Sequence, residues 1–303
     1  MEQNQQGWLD VGRGHGIHWQ SSGNPDGVPV VWLHGGPGSA SSPAHRRVFD
    51  PSYFHIIQFD QRGCGNSRPV GELEHNRTSD LVSDIEKLRH FLGISSWNVV
   101  GGSWGGALAL AYAQQHPEMI RHLLLRSTFL CSVHEIDAFM KRPPESCREI
   151  WSDLMAHVPA TGEDLLGYGY RVFCLENNKL EQAALALAWA RYESALNAYP
   201  MTAPDFELTV GDSLVSRYRV QCHYLRHGCF TTREALLDPK ALQGLDAVLV
   251  HGINDAVCPY ENSLAIKRAM PQAKLVGIPD CGHDLTHPAM FAAVTRAIAQ
   301  WQK

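Results

Sequence analysis

The sequence has no long apolar run and no excess of positive charge. No stretch of the 303 residues holds the roughly 18 consecutive apolar residues that a membrane-spanning helix needs. The net charge is -5 and no stripe of Lys and Arg stands out, which argues against a nucleic-acid-binding surface. The polar residues at 1–7 lack the basic-then-apolar pattern of a signal peptide, so we expect a cytoplasmic protein.

Metal-binding and disulfide patterns are also missing. The eight cysteines are dispersed, with no Cys-x-x-Cys pair, and the 16 histidines include no His-Glu-x-x-His motif. We therefore expect free thiols and no metal site.

What the sequence does contain is an alternation of strand and helix patterns. A leading hairpin at 7–20 precedes apolar, strand-like runs and amphipathic or apolar helical runs. The strand-like runs lie at 28–33, 54–59, 97–102, 120–125, 245–250 and 274–278, and the helical runs at 78–92, 104–115, 261–270 and 288–301. This order predicts the α/β class, with a mostly parallel sheet and helices on both faces.

The rhythm is interrupted between the fourth and fifth of these runs. Residues 131–235 have few β-branched runs and many helix formers, most clearly at 181–193. We predict an inserted helical cap at 131–235 that selects the substrate, on a core domain made of 1–130 and 236–303.

The pattern Gly101-Gly-Ser103-Trp-Gly105 follows a strand and opens a helix, as in a nucleophile elbow. The elbow exposes the serine hydroxyl at a sharp turn, and the two flanking glycines avoid collisions where the strand and helix nearly touch. Ser103 is therefore the candidate nucleophile.

A serine nucleophile needs a base and a group that orients the base, in the chain order Ser, acid, His. Asp255 follows the strand-like run at 245–250, and His283 follows the run at 274–278. Asp280 and Asp284 are too close to His283 in sequence to receive its ring. We predict the triad Ser103, Asp255 and His283.

An oxyanion hole needs the backbone N–H of the residue after the nucleophile and a second N–H from an earlier loop. Trp104 supplies the first. The loop His34-Gly-Gly-Pro-Gly38 supplies the second, at Gly36 or alternatively at Gly35, which we also expect to contact the substrate.

Three segments of the sequence resemble the proline iminopeptidases of the α/β-hydrolase superfamily. They are the loop at 34–38, the segment Asp-Gln-Arg-Gly-Cys-Gly-Asn-Ser-Arg-Pro at 60–69, and the elbow at 101–106. The resemblance covers the first 130 and the last 60 residues. It implies an α/β-hydrolase fold, release of an N-terminal proline from small peptides, and no cofactor. No segment indicates an oligomeric interface.

The resemblance also implies a pocket for the substrate's free imine. Trp189-Ala-Arg-Tyr192-Glu193 matches the family's cap segment, in which the glutamate holds the imine. Gln221 stands where the family commonly has a second glutamate, and glutamine supplies no charge. Trp189, Tyr192, Glu193 and Gln221 are therefore the predicted substrate-binding residues of the cap.

Three functions remain open at this point. One is a serine aminopeptidase for N-terminal proline, and another is a related esterase or amidase for small acyl substrates with altered amine recognition. The third is a binding module on a hydrolase fold, against which the complete triad and glycine loop argue.

Overall fold

The computed structural model describes residues 3–160, 162–200 and 211–302. Part of the predicted cap, 201–210, lies outside the described residues. Eight strands form one sheet in the order β1-β2-β4-β3-β5-β6-β7-β8. The strands are β1 Gln3–Gly12, β2 His15–Gly23, β3 Val28–Leu33, β4 Phe54–Phe59, β5 Trp97–Gly102, β6 Ile120–Arg126, β7 Ala247–Gly252 and β8 Lys274–Ile278.

The sheet is parallel except at one edge. β1 pairs with β2 and β2 with β4 in antiparallel fashion, whereas every pair from β4 to β8 is parallel. The predicted leading hairpin is thus the antiparallel edge. The predicted α/β class and mostly parallel sheet are confirmed.

Helices follow most of the parallel strands. They are α1 Pro43–Arg46, α2 Thr78–Phe91, α3 Trp104–Gln115, α4 Val133–Lys141, α5 Arg148–Met155, α6 Leu165–Tyr170, α7 Lys179–Ala198, α8 Asp212–Arg226, α9 Arg233–Leu236, α10 Pro239–Leu242, α11 Glu261–Ala269 and α12 Pro288–Ala299. No helix among the described residues is long and apolar enough to cross a membrane.

Successive residues of the central strands enter two different cores, because side chains alternate between the faces of a sheet. Val99 packs with residues of α2 and α3, whereas Val100 packs with Met290 and Val294 of α12. These strands therefore read as continuous apolar runs, as expected for a sheet covered on both faces.

The elements between β6 and β7 are all helical in the described part of the chain. Helix α8 contacts α6 and α7, while α9 and α10 contact α3. Tyr224 of α8 donates a hydrogen bond to Asn76 Oδ1 at 2.8 Å, and its ring meets that of Trp104 edge-on. These contacts support a cap seated on the core through α8. The division at 131 and 236 stays a prediction from the change in sequence pattern.

Candidate active site

The turn after β5 has the geometry of a nucleophile elbow. Ser103 has φ +56° and ψ -126°, a conformation that non-glycine residues rarely adopt. A Cβ on Gly101 would collide with the Gly105 carbonyl, and a Cβ on Gly105 with the Leu33 carbonyl. The two glycines therefore let β3, β5 and α3 approach closely enough to hold Ser103 in this strained position.

Asp255 and His283 form a buried pair at the ends of β7 and β8. Asp255 Oδ2 accepts a hydrogen bond from His283 Nδ1 at 2.8 Å. Its Oδ1 accepts the backbone N–H groups of Val257 and Cys258 at 2.9 and 2.8 Å. Because the loop fixes one carboxylate oxygen, the other can orient the imidazole of His283. Nε2 of His283 then stays available to accept a proton.

The charge of Asp255 is stabilised despite its burial. Burial alone would raise the pKa of its carboxyl group, but His283 and His251 outweigh that effect and hold the pKa well below its usual range. His251 lies with Nε2 3.5 Å from Asp255 Oδ2, and its ring also contacts Ser263 Oγ and the Cys258 carbonyl. Asp255 is therefore poised to stabilise an imidazolium on His283.

Ser103 and His283 line one cavity of about 310 Å³. They form no hydrogen bond with each other among the described residues, and Ser103 Oγ lies 3.9 Å from Cys258 Sγ. Such serine–histidine bonds are often long until a substrate is bound, so the arrangement is compatible with proton transfer.

Two backbone amides at the same edge are free of protein acceptors. Within the described residues, the N–H groups of Gly36 and Trp104 donate to no protein group. A Cβ on Gly35 would lie 3.4 Å from Ser103 Cβ, so this loop approaches the nucleophile directly. Two free donors beside a serine are what an oxyanion hole requires.

The cavity wall contains both apolar and charged side chains. Phe129, Ile136, Phe139, Leu225 and Val257 supply apolar lining, and Glu193, Arg217 and Gln221 line the cap side. Arg126, at the end of β6, also lines the cavity and donates from Nη1 to the His283 carbonyl. In the described residues no cluster of three or more His, Cys, Asp or Glu side chains could hold a metal ion.

The comparisons with known proteins agree with this geometry. The family model for the alpha/beta hydrolase fold matches residues 28–287. A probable proline iminopeptidase of Leptolyngbya boryana is 38% identical over 97% of this chain and 92% of its own length. Proline iminopeptidase of Neisseria meningitidis is 36% identical over 96% of this chain and 94% of its own length.

The chain belongs to the proline iminopeptidase family of α/β hydrolases. The predicted family is therefore confirmed, as is the predicted α/β-hydrolase fold. A proline iminopeptidase-related protein from Thermus thermophilus has a TM-score of 0.64 at 18% identity, with 99% of this chain and 98% of that chain covered. At that identity the likeness speaks for the fold alone.

Six of the site residues that the sequence predicts for this chain line the cavity. They are Gly35, Gly36, Ser103, Glu193, Gln221 and His283. Asp255 lies behind His283, and Trp104 contributes its backbone while its indole donates to Gln61 Oε1 at 2.8 Å.

Trp189 and Tyr192 are not brought to the cavity. Trp189 is fully buried against Phe173 and Tyr218, and Tyr192 turns its hydroxyl to the Phe139 carbonyl at 3.0 Å. Both lie on α7 with Glu193, but each packs within the cap. They position the helix that carries Glu193, and do not contact the cavity themselves.

Sequence reasoning missed Arg126, Phe129 and Arg217. Arg126 and Phe129 follow β6 at the same sheet edge as Ser103, which is a signal that could have identified them. Arg217 lies four residues before Gln221, one turn away on the same face of α8. Its partner on α7 could not be read from the sequence.

Proposed function

We propose that this chain is a serine hydrolase that releases an N-terminal proline from small peptides. The observation that carries the proposal is the Asp255–His283 hydrogen bond behind a cavity that both His283 and the elbow residue Ser103 line. The relatives named proline iminopeptidase support the substrate class.

In this mechanism His283 takes the proton of Ser103 as the hydroxyl attacks the prolyl carbonyl carbon. The N–H groups of Trp104 and Gly36 stabilise the oxyanion. His283 then gives the proton to the leaving amine, which departs and leaves a prolyl ester on Ser103. Water, deprotonated by His283, hydrolyses this ester and frees proline and the serine.

The cavity suits a prolyl group in size and polarity. Its volume of about 310 Å³ is at the lower end of the usual range for ligand pockets, which favours a small acyl group. Transfer of the three ring methylenes from water to the wall of Phe129, Ile136 and Phe139 would contribute about 2 kcal/mol. The peptide beyond the scissile bond would extend toward the opening.

A second function, hydrolysis of small esters or amides without a free amine, is favoured by one observation. Arg217 Nη2 lies 2.7 Å from Glu193 Oε2, so the carboxylate that would attract a cationic imine already has a cationic partner.

A substrate panel separates the two functions. Purified protein is assayed with prolyl arylamide, other aminoacyl arylamides, N-acetylprolyl arylamide and short acyl esters. We expect cleavage of prolyl arylamide well above the other arylamides, and loss of at least about 10⁴-fold in kcat for Ser103→Ala. Equal cleavage of the N-acetylated form, or cleavage of esters alone, would favour the second function. Full activity of Ser103→Ala would contradict both.

A further inference from the structure

Gln61 lies in the loop after β4 and is buried, with 2% of its surface exposed. Its Oε1 accepts a hydrogen bond from the indole Nε1 of Trp104 at 2.8 Å. Its Nε2 donates to the His34 carbonyl at 2.9 Å. The Gln61 amide therefore connects the first residue of α3, which follows the nucleophile, with the glycine loop that follows β3.

A second contact between the same two loops fixes the His34 ring. The backbone N–H of Gln61 donates to His34 Nε2 at 3.0 Å. Burial lowers the pKa of this imidazole, against the opposing effects of Asp60 and the Gly35 carbonyl, so the ring is neutral at pH 7. A neutral ring that accepts at Nε2 carries its proton on Nδ1, which donates to the Gly35 carbonyl at 2.9 Å.

This bond from His34 sets the direction of one oxyanion donor. The Gly35 carbonyl and the Gly36 N–H belong to one trans peptide group, so they point in opposite directions. Because His34 holds the carbonyl, the Gly36 N–H faces away from the imidazole. Rotation of this peptide group would bring a carbonyl oxygen to the position where an N–H is needed.

The other oxyanion donor is the backbone N–H of Trp104, and the Trp104 side chain is held on two sides. Its indole N–H binds Gln61, and its ring meets that of Tyr224 edge-on at 5.1 Å between centroids. The side chain is completely buried. The Gln61 amide therefore contacts the residue that supplies one donor and the residue that orients the other.

The backbone on either side of Gln61 is anchored by other contacts. The Asp60 carboxylate accepts two backbone N–H groups, at 2.8 and 2.9 Å. Arg62 forms a two-point ion pair with Asp84 of α2, at 2.6 and 2.7 Å. Because these contacts do not involve the Gln61 side chain, a substitution of that side chain can leave the loop in place.

We propose that Gln61 is a positioning residue that keeps the two N–H donors of the oxyanion hole, Gly36 and Trp104, in place relative to each other. The inference rests on the proposed serine-hydrolase function, and Gln61 itself does not line the cavity. Such donors act on the charge that develops in the transition state, and they must be aligned before the reaction. A displaced donor should therefore raise the barrier without weakening substrate binding.

The test is Gln61→Met, because methionine has nearly the same length but forms neither of the two amide hydrogen bonds. The backbone N–H that binds His34 is kept. Active sites are counted by titration of Ser103 with a fluorophosphonate. We expect kcat per active site to fall about 10- to 50-fold, less than the roughly 10²–10³-fold loss when a donor is removed altogether. KM for prolyl arylamide should change by less than about threefold.

Two inhibitors separate an effect on the transition state from a general loss of structure. Ser103 Oγ adds to the boron of cyclopentylboronic acid and passes its proton to His283, which gives a tetrahedral adduct with an oxygen in the oxyanion hole. The Ki of this acid should rise in Gln61→Met by about the factor by which kcat/KM falls. Pyrrolidine has a similar ring but no oxygen, so its Ki should stay within about threefold.

Gln182→Met is the matched control. Gln182 is also buried, and its Nε2 makes two hydrogen bonds, to the Val172 and Glu176 carbonyls at 2.9 and 3.0 Å. Neither Gln182 nor these partners line the cavity. This variant should lose stability, while its kcat and both Ki values stay within about threefold.

Trp104→Phe tests the same hydrogen bond from its other partner and decides the question if Gln61→Met fails to fold. It keeps the backbone N–H of position 104 and should lower kcat with little change in KM. Because the two variants break a shared hydrogen bond, the double variant should lose less than the product of the two single losses.

The outcomes separate this inference from the proposed function. Wild-type kcat in Gln61→Met or Trp104→Phe, equal weakening of both inhibitors, or fully multiplicative losses in the double variant overturn the role of Gln61 and leave the hydrolase function standing. No cleavage of prolyl arylamide by the wild type contradicts the aminopeptidase function. The Gln61→Met comparison is then made with a short acyl ester, whose hydrolysis needs the same oxyanion hole.

Discussion

The two ends of the cavity are built in different ways. At the core end, Ser103, Asp255 and His283 each follow a different parallel strand, so the order of the sheet brings them to one edge. At the cap end, Glu193, Arg217 and Gln221 come from two helices whose side-chain packing alone brings them together. The first end is specified by topology, and the second by local packing.

Because of this difference, we expect the core end to determine the type of reaction and the cap end to determine which substrate is preferred. The core end depends on backbone features, such as the positive φ of Ser103 and the two glycines against which it turns. Single substitutions on the surface of α7 or α8 leave those features intact but change the charge of the cap end. We therefore expect variants at the core end to alter kcat by orders of magnitude, and variants at the cap end to alter KM and pH dependence.

Asp255→Asn tests the core end and should have the largest effect. The asparagine oxygen can keep the two backbone hydrogen bonds of Oδ1, so its NH₂ group would face His283 Nδ1. His283 would then carry its proton on Nε2, where it cannot accept the proton of Ser103. We expect kcat for prolyl arylamide to fall about 10⁴-fold. Asp284→Asn, one residue from His283, is the matched control and should stay within about threefold, since Asp284 binds Thr286 instead.

A comparison of the wild type with Asp255→Asn also tests an effect of acid on stability. Because the pKa of Asp255 is depressed in the folded protein, its carboxylate stabilises the fold above the unfolded pKa of about 3.9. That contribution is lost as the pH falls below this value. Thermal unfolding of the wild type should therefore become more sensitive to acid below about pH 4 than that of Asp255→Asn. Parallel curves for the two proteins would contradict the depressed pKa.

The core end was predictable because its signals are local and ordered along the chain. Apolar runs mark the buried strands, and the glycines of the elbow mark the turn. The loop after β7 holds Asp255, and the loop after β8 holds His283, in the required order. The predicted helix 104–115 coincides with α3. The strand predicted at 245–250 is observed two residues later, as β7.

The cap end was less predictable because helix spacing identifies a face but not its partner. Trp189 and Glu193 share a face of α7, yet only Glu193 reaches the cavity while Trp189 packs under Gly169 and against Tyr218. Arg217 carries no motif at all. Its importance comes from a contact between residues 24 positions apart in the chain.

Glu193→Gln tests the cap end with an intermediate effect. The change leaves the guanidinium of Arg217 without its anion beside the substrate nitrogen, so KM for prolyl arylamide should rise about tenfold. Short acyl esters, which have no nitrogen there, should change by less than about threefold. Glu181→Gln on the same helix is the control, because Glu181 binds Tyr168 and Asn178 and does not line the cavity. An equal loss for amides and esters would mean that Glu193 only holds the cap together.

Trp189→Phe has the smallest expected effect on activity. It tests whether Glu193 is accompanied by Trp189 in contacting the substrate from α7. Trp189 is completely buried, and its indole N–H has no partner among the residues that the structure describes. Its ring centroid lies 5.5 Å from that of Tyr218. Phenylalanine removes the unpaired N–H but leaves part of the space empty, for a net loss of about 1–2 kcal/mol in the free energy of unfolding. KM for prolyl arylamide should stay within about threefold while the melting temperature falls by a few degrees. A tenfold rise in KM at an unchanged melting temperature would mean that Trp189 contacts the substrate and does more than pack α7 in place.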